Sequence, residues 1–170
     1  IDSKLQEVVH LCPGYLQDSW QLLGDLSKLG KLPPNARLFS VDAVGMYVNI
    51  DTDHAVTTLR KWFDRQKAAG KLPTDYPIEL VVQGTQLVMT NNVFDFDDES
   101  FQQENGTAMG TSMACMYATI YFSYHEETAI IPRKNELGIL FYHRFIDDGL
   151  CLQLQTPGAH ARLVKIFNSF

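Results

Sequence analysis

The chain has 170 residues, 45% of them hydrophobic and 11% aromatic, which is enough to bury one sizeable core and too apolar for a disordered segment. Its formal net charge of -6 argues against a nucleic-acid binder that relies on its own Lys and Arg to neutralise phosphates. The three widely spaced cysteines argue against a disulfide framework or a zinc ribbon. Because no apolar run or basic leader predicts a membrane span or a signal peptide, we expect an intracellular protein, cytoplasmic or nuclear.

The first third of the chain predicts helices followed by a strand. Apolar residues at helical spacing predict one short helix before residue 12 and a second helix over residues 17–30, ended by Gly30. After a proline-rich break, the segment "ARLFSVDAV" alternates and is rich in β-forming residues, so it predicts a strand with Asp42 near its end.

The middle of the chain predicts three helices and a hairpin. Capping residues and a closing Gly70 predict a helix over residues 51–70, and residues 73–92 predict another, with Pro77 in its first turn. The segment 93–106 alternates on both sides of an acidic turn, which is typical of a short hairpin. The mostly apolar residues 110–127 predict a core helix.

The last segments complete the expected fold. "GILFYHRFIDDGLCLQL" predicts two apolar strands joined through "DDG", and residues 157–170 predict an amphipathic helix. The order of elements predicts an α+β fold in which helices pack on one face of a small antiparallel sheet.

Three carboxylates interrupt the apolar strands. Asp147 and Asp148 are adjacent, and burying an unpaired charge there would be costly. Because neighbouring side chains of a strand point to opposite faces, a second ligand must come from elsewhere, and Asp42 at the end of another apolar strand is the candidate. Asp42 and Asp147 would then form an acidic pair suited to Mg²⁺, with Asp148 third because it should point partly away. The alternatives are that "DDG" is an ordinary turn and that Asp42 is a capping residue.

Three segments in order carry a family resemblance. "FSVDAVGMYVNI", "FQQENGTAMGTSMACMYATIYF" and "FYHRFIDDGL" resemble the A, B and C motifs of reverse transcriptases. The sequence pattern of these motifs is similar to that of Penelope-like retroelements, which are relatives of telomerase. The resemblance covers residues 39–150. Its middle motif is read here from five residues: Phe101, Gln103, Gly106, Met109 and Gly110.

The resemblance implies a right-hand polymerase fold and DNA synthesis from deoxynucleotides. Residues 1–37 would be an N-terminal helical flank of fingers and palm, and residues 38–170 a palm core that ends before the thumb. Asp42, Asp147 and Asp148 would be catalytic and would hold two Mg²⁺ ions, which Mn²⁺ can replace, about 3.5 to 4 Å apart. The expected partners are an RNA or DNA template with its primer and a dNTP. A thumb and an endonuclease would lie elsewhere in a polyprotein, so the isolated segment need not be active.

The resemblance also implies nucleotide contacts. Tyr47 matches the aromatic residue beneath the nucleotide sugar, where its ring would exclude a ribose 2′-hydroxyl; the alternative is a packed core aromatic. Gly106 and Gly110 would frame the turn into the core helix and allow close approach of nucleotide or template. Met109 would give an apolar contact, and Gln103 would donate to a base or phosphate or face solvent.

Four basic residues are weaker candidates for nucleic-acid contact. Arg60, Lys61 and Arg65 belong to a predicted helix, for which a solvated face is the alternative. Arg144, shortly before the carboxylates, would pair with one of them or contact the primer strand, and a structural salt bridge is the alternative.

Two other functions compete with polymerisation. A catalytically inactive, domesticated scaffold or nucleic-acid-binding module fits the net acidity but has no need of the three aspartates and Tyr47. A different two-metal enzyme, such as a nuclease or a nucleotidyl cyclase, leaves Tyr47 and the segment from Gln103 to Gly110 unexplained.

Overall fold

The computed structural model describes residues 1–170, which divide into two compact units that alternate along the chain. The first unit comprises Ile1–Cys12 and Gly45–Tyr124, and the second comprises Pro13–Val44 and His125–Phe170. This division by packing does not follow the predicted segments 1–37 and 38–170, which concern functional regions and remain a prediction.

The first unit is mostly helical and carries a separate two-stranded sheet. Its elements are α1 (Asp2–Gln6), a 3-10 turn (Val9–Leu11), α3 (Met46–Asn49), α4 (Thr52–Ala68), α5 (Ile78–Thr90), β2 (Val93–Phe96), β3 (Glu99–Gln102) and α6 (Ala114–His125), whose last residue falls in the second unit.

Helix α4 forms because its ends are capped and one face is apolar. The Asp51 carboxylate accepts a 2.7 Å hydrogen bond from the His54 N–H at the start of the helix, and Gly70 takes a φ of +67° just beyond its end. Trp62 and Phe63 are fully buried, with ring centroids 5.3 Å apart. Aromatic burial therefore holds α4 inside the first unit.

The predicted hairpin is the ribbon β2–β3. Phe94 lies opposite Phe101 with ring centroids 5.7 Å apart, and every residue of both strands is exposed. Asp97 and Asp98 form the turn with φ values of +49° and +64°. Two positive φ values in a two-residue loop match the twist of a hairpin.

The second unit contains the main sheet. Its elements are α2 (Ser19–Ser27), β1 (Ala36–Asp42), a π-helical turn (Glu126–Ile130), a 3-10 turn (Ile131–Arg133), β4 (Ile139–Phe145), β5 (Asp148–Leu154) and α7 (Ala159–Phe167). The strand order is β1-β5-β4 and both pairings are antiparallel. The α+β class and the small antiparallel sheet are therefore as predicted.

Helices approach both faces of this sheet, whereas the sequence predicts one covered face. One face packs on a core that includes Tyr142, Cys151 and Leu163 of α7, all almost fully buried. On the other face, His143 lies 3.7 Å from Asp25 of α2, nitrogen to oxygen. None of the α2 residues is buried, so this helix covers the second face only lightly. No helix in the chain combines the length and the apolar character needed to cross a membrane.

Candidate active site

The ends of β1 and β5 meet at one edge of the main sheet. Asp42 is the register partner of Asp148, and the Ala43 N–H donates a 3.2 Å hydrogen bond to the Asp147 carbonyl. The predicted meeting of two strand tips that are far apart in sequence is therefore present.

Asp42 and Asp148 lie on the same face of the sheet, because directly opposed residues of antiparallel strands share a face. The hydrogen bond from Ala43 to Asp147 makes the neighbouring pair the hydrogen-bonded one. Asp42 and Asp148 thus occupy a non-hydrogen-bonded position, where side chains are closest and like charges are destabilising. Mutual repulsion at this position favours a bound cation.

Two details differ from the expectation. Asp42, Asp147 and Asp148 are all exposed to solvent, so the expectation that their charges are buried and need compensation is wrong. The residue across from Asp42 is Asp148, although we expected Asp148 to point away and Asp147 to be the partner. The reason is that Asp147 belongs to the turn and Asp148 begins β5.

The turn between β4 and β5 is Ile146–Asp147, not "DDG". Ile146 has a φ of +55°, and Asp147 is not among the residues with positive φ, which is the pattern of a type II′ turn. Gly149 lies within β5, where an added Cβ would be 3.4 Å from Val41 and 3.5 Å from Tyr142. The Asp-Gly signal was misleading because the glycine lies within β5, where an added Cβ would make only ordinary van der Waals contacts, and the strained position is occupied by isoleucine.

The oxygen donors at this edge suit Mg²⁺, which typically uses one or two carboxylates and takes its other ligands from water and substrate phosphates. Asp42 and Asp148 supply such a pair. No group of three or more His, Cys, Asp or Glu side chains in the chain is placed to hold a metal ion, so Asp147 does not complete a three-carboxylate cluster. Binding of Mg²⁺ by these carboxylates therefore remains a prediction.

Beneath the carboxylates lies a buried ion pair between Arg144 and Glu126. The Arg144 Nε lies 2.6 Å from the Glu126 Oε1, and the side chains are only 5% and 2% exposed. The Tyr142 hydroxyl donates to the same oxygen at 2.6 Å. Burial and the Glu126 charge raise the pKa of Tyr142 well above its usual value, so this hydroxyl stays protonated and able to donate. The salt-bridge interpretation of Arg144 fits these contacts, and a primer contact loses its support.

Gly106 packs against the backbone of Tyr47 in the first unit. Its φ is +79°, and an added Cβ would lie 2.9 Å from the Tyr47 carbonyl oxygen and 2.9 Å from the Val48 Cα. The Thr107 N–H donates to the same carbonyl at 2.6 Å. The structure thus brings together Tyr47, which is half-buried, and the glycine of the middle motif.

The other residues of the middle motif are not close-packed. Gln103 donates a 2.8 Å hydrogen bond from its amide to the Asn105 carbonyl, and Met109 is 70% exposed. Gly110 would accept a Cβ with nothing within 4 Å. Helix α6 begins at Ala114, so Gly110 lies in the loop before the helix and does not mark its start. Their nucleotide contacts remain predictions.

The predicted basic helix that carries Arg60, Lys61 and Arg65 is α4. Arg60 forms a 2.6 Å salt bridge with Glu79 of α5, while Lys61 and Arg65 are exposed on the same helix. The salt bridge partly favours the structural alternative for Arg60, and nucleic-acid contact by these three residues remains a prediction.

Sequence reasoning missed Glu126 and Gly14. An added Cβ on Gly14 would lie 2.9 Å from the Glu126 Oε2, so a larger residue at this position would displace the carboxylate. Arg144 within an apolar strand does signal a buried acidic partner, because an unpaired buried charge is unstable. The sequence contains 20 acidic residues and does not indicate which of them is that partner.

Comparison with known proteins gives a likeness of fold. No protein-family model and no curated protein sequence matches the chain. The fold is similar to that of telomerase, a reverse-transcriptase-related enzyme. The solved structure is apo telomerase from Candida tropicalis, truncated from its C-terminal domain, with a TM-score of 0.53 and 12% sequence identity. The match covers 98% of this chain and 36% of the telomerase chain, so the chain spans about a third of that protein.

Proposed function

We propose that the chain is the core of a retroelement reverse transcriptase, an RNA-directed DNA polymerase related to Penelope-like elements. The observation that carries this proposal is the opposition of Asp42 and Asp148 at one sheet edge, with Asp147 in the adjoining turn. The ordered motifs and the telomerase-like fold support it. The thumb and an endonuclease would belong to other parts of a longer polyprotein.

In the proposed reaction, a primer 3′-hydroxyl attacks the α-phosphorus of a dNTP and pyrophosphate leaves. Two bound Mg²⁺ ions, or Mn²⁺ in their place, would activate the attacking oxygen and stabilise the leaving one. Asp42 and Asp148 would hold the cations because their carboxylates face the same side of the sheet. Asp147 remains a proposed third ligand from the adjoining turn, although the three carboxylates do not form a cluster placed to hold a metal ion in the structure.

The experiment is single-nucleotide extension of a labelled primer by the chain within a longer polypeptide that includes the expected thumb, on RNA and DNA templates with Mg²⁺ or Mn²⁺. We expect Asp42→Asn and Asp148→Asn each to reduce extension at least about 100-fold, because loss of a carboxylate removes charge where the cation binds. Asp75→Asn, a neutralised carboxylate on an exposed loop, is the matched control. Extension that both active-site variants retain at the parent rate would refute the proposal.

Tyr47 is proposed to select deoxynucleotides by steric exclusion of the 2′-hydroxyl. We expect Tyr47→Ala to incorporate ribonucleotides at least about 10-fold more readily relative to deoxynucleotides, because the smaller side chain leaves room for the hydroxyl. Tyr47→Phe keeps the ring and should leave the selectivity unchanged. The measurement is the ratio of kcat/KM for matched ribo- and deoxynucleotides, and equal ratios in parent and Tyr47→Ala would exclude the assigned role.

An inactive scaffold is the second candidate, and the net charge of -6 favours it. Such a protein would bind its partner with the same affinity in the parent and in Asp42→Asn. The extension assay therefore separates the two functions.

A further inference from the structure

The ion pair of Arg144 and Glu126 has features that a simple structural salt bridge does not need. The guanidinium contacts both carboxylate oxygens, Nε to Oε1 at 2.6 Å and NH2 to Oε2 at 3.4 Å. Both residues are almost completely buried. Burying two charges is costly, and replacement by apolar residues is often neutral or stabilising, so stability alone explains such a pair poorly.

The third nitrogen of the guanidinium reaches the turn that carries the carboxylates. The Arg144 NH1 donates a 2.6 Å hydrogen bond to the carbonyl of Ile146. Ile146 holds a φ of +55°, a conformation that a β-branched residue rarely adopts unless its surroundings impose it. The bond from Arg144 is a contact that can impose it.

The backbone of Arg144 is fixed on its outer side as well. Its N–H donates to the Gly14 carbonyl at 2.6 Å, and its carbonyl accepts from the Leu16 N–H at 2.9 Å. On the other side, Arg144 is paired with Gly149 of β5. The backbone of Arg144 is therefore held between the loop that contains Gly14 and Leu16 and the central strand β5.

The ion pair and the aspartates lie on opposite faces of the sheet. Arg144 and Tyr142 share the core face, because both alternate with His143 along β4. Asp148, paired with Phe145, lies on the other face together with Asp42. The Arg144 side chain thus contacts the Ile146–Asp147 turn from the face of the sheet opposite to that of the aspartates.

We propose that Glu126 and Arg144 are positioning residues that hold the Ile146–Asp147 turn in its strained form and so align Asp148 with Asp42. This inference rests on the proposed polymerase function for its catalytic consequence. Glu126 orients the guanidinium, Tyr142 orients Glu126, and Arg144 fixes the Ile146 carbonyl. When Glu126 loses its charge, the turn relaxes and the two strand tips lose their register.

The test uses two variants of the ion pair and one matched control. Glu126→Gln keeps the shape of the side chain and removes its charge, and Arg144→Lys keeps the charge and loses the fork that reaches Glu126 and Ile146 together. Glu136→Gln makes the same change in the exposed pair with Arg133, whose side chains are 41% and 52% exposed. Tyr142→Phe removes one hydrogen bond to Glu126 and leaves the ion pair, so it serves as a variant that still folds.

The first measurement is amide hydrogen exchange at Ala43, whose N–H is bonded to the Asp147 carbonyl. We expect exchange at Ala43 to be about 10-fold faster in Glu126→Gln and Arg144→Lys, less so in Tyr142→Phe, and unchanged in Glu136→Gln. The second measurement is primer extension normalised to folded protein. We expect kcat to fall about 100-fold in the two ion-pair variants with the KM for dNTP unchanged, because misalignment affects the reacting groups more than substrate binding.

The outcomes separate this inference from the proposed function. Unchanged exchange at Ala43 in both Arg144→Lys and Tyr142→Phe overturns the positioning role, and so does faster exchange with a parental kcat. If Asp42→Asn extends primers as well as the parent, the polymerase proposal fails, while the exchange data still decide whether the ion pair holds the turn.

Discussion

At the scale of single residues, the two glycines of the middle motif have different physical requirements. Gly106 has a positive φ and no room for a Cβ beside Tyr47 and Val48, whereas Gly110 has no positive φ and open space around it. A side chain at the first position is opposed by both backbone strain and collision with backbone atoms. At the second position neither effect operates.

We therefore expect Gly106→Ala to lower the free energy of unfolding by more than about 1 kcal/mol, because the left-handed conformation alone costs an L-residue about that much. Gly110→Ala, the matched control, should change it by less than about 0.5 kcal/mol. Urea denaturation followed by circular dichroism measures both. Equal effects of the two substitutions would contradict the packing of Gly106 against Tyr47.

At the scale of elements, the two hairpin turns both contain residues with positive φ, but different residue types occupy those positions. The β4–β5 turn places Ile146 at positive φ, where the guanidinium of Arg144 binds its carbonyl. The β2–β3 turn places Asp97 and Asp98 there, on a ribbon with no buried residues. Aspartate tolerates this conformation, but glycine is the usual residue at the second position of such a turn. A glycine at position 98 would therefore relieve strain in the β2–β3 turn.

We expect Asp98→Gly to stabilise the hairpin by about 0.5 to 1 kcal/mol, since relief of the Cβ strain exceeds the entropic cost of glycine. Amide exchange in β2 and β3 should slow accordingly. Asp98→Ala, which keeps a Cβ at the same φ and loses the side-chain carboxylate, should speed the exchange. Faster exchange in Asp98→Gly would mean that the turn does not have the described geometry.

At the scale of the whole molecule, the charge balance conflicts with binding to a polyanion. The chain has 14 Lys and Arg against 20 Asp and Glu, and Arg144 and Glu126 are buried together. Under the proposed function, attraction to phosphates would depend on divalent cations at the exposed carboxylates more than on a basic surface.

We expect affinity for a primer–template duplex to rise at least about 10-fold when Mg²⁺ replaces EDTA, because bound cations reverse the local charge. The increase should be much smaller in Asp42→Asn and unaltered in Asp75→Asn. Fluorescence anisotropy of a labelled duplex at constant ionic strength makes the comparison. Tight binding in EDTA would instead point to a basic surface such as α4.

Local patterns predicted most elements and placed the candidate carboxylates at strand ends. The caps and glycines of α2 and α4, the alternation of β1 and the hairpin β2–β3 all depend on interactions within a few residues, which a sequence displays. The short helix α3 and the π-helical turn at Glu126–Ile130 were not predicted, because neither has a distinct periodic pattern.

The sequence by itself determined the α+β class and the positions of Asp42 and of the "FIDDGL" carboxylates at strand ends, since apolar strands and their acidic ends are local properties. Only the tertiary structure decided that Asp148 is the residue facing Asp42, that the turn lies at Ile146, and that Glu126 neutralises Arg144. These features depend on strand register and on contacts between distant segments, where a shift of one residue moves a side chain to the other face of the sheet.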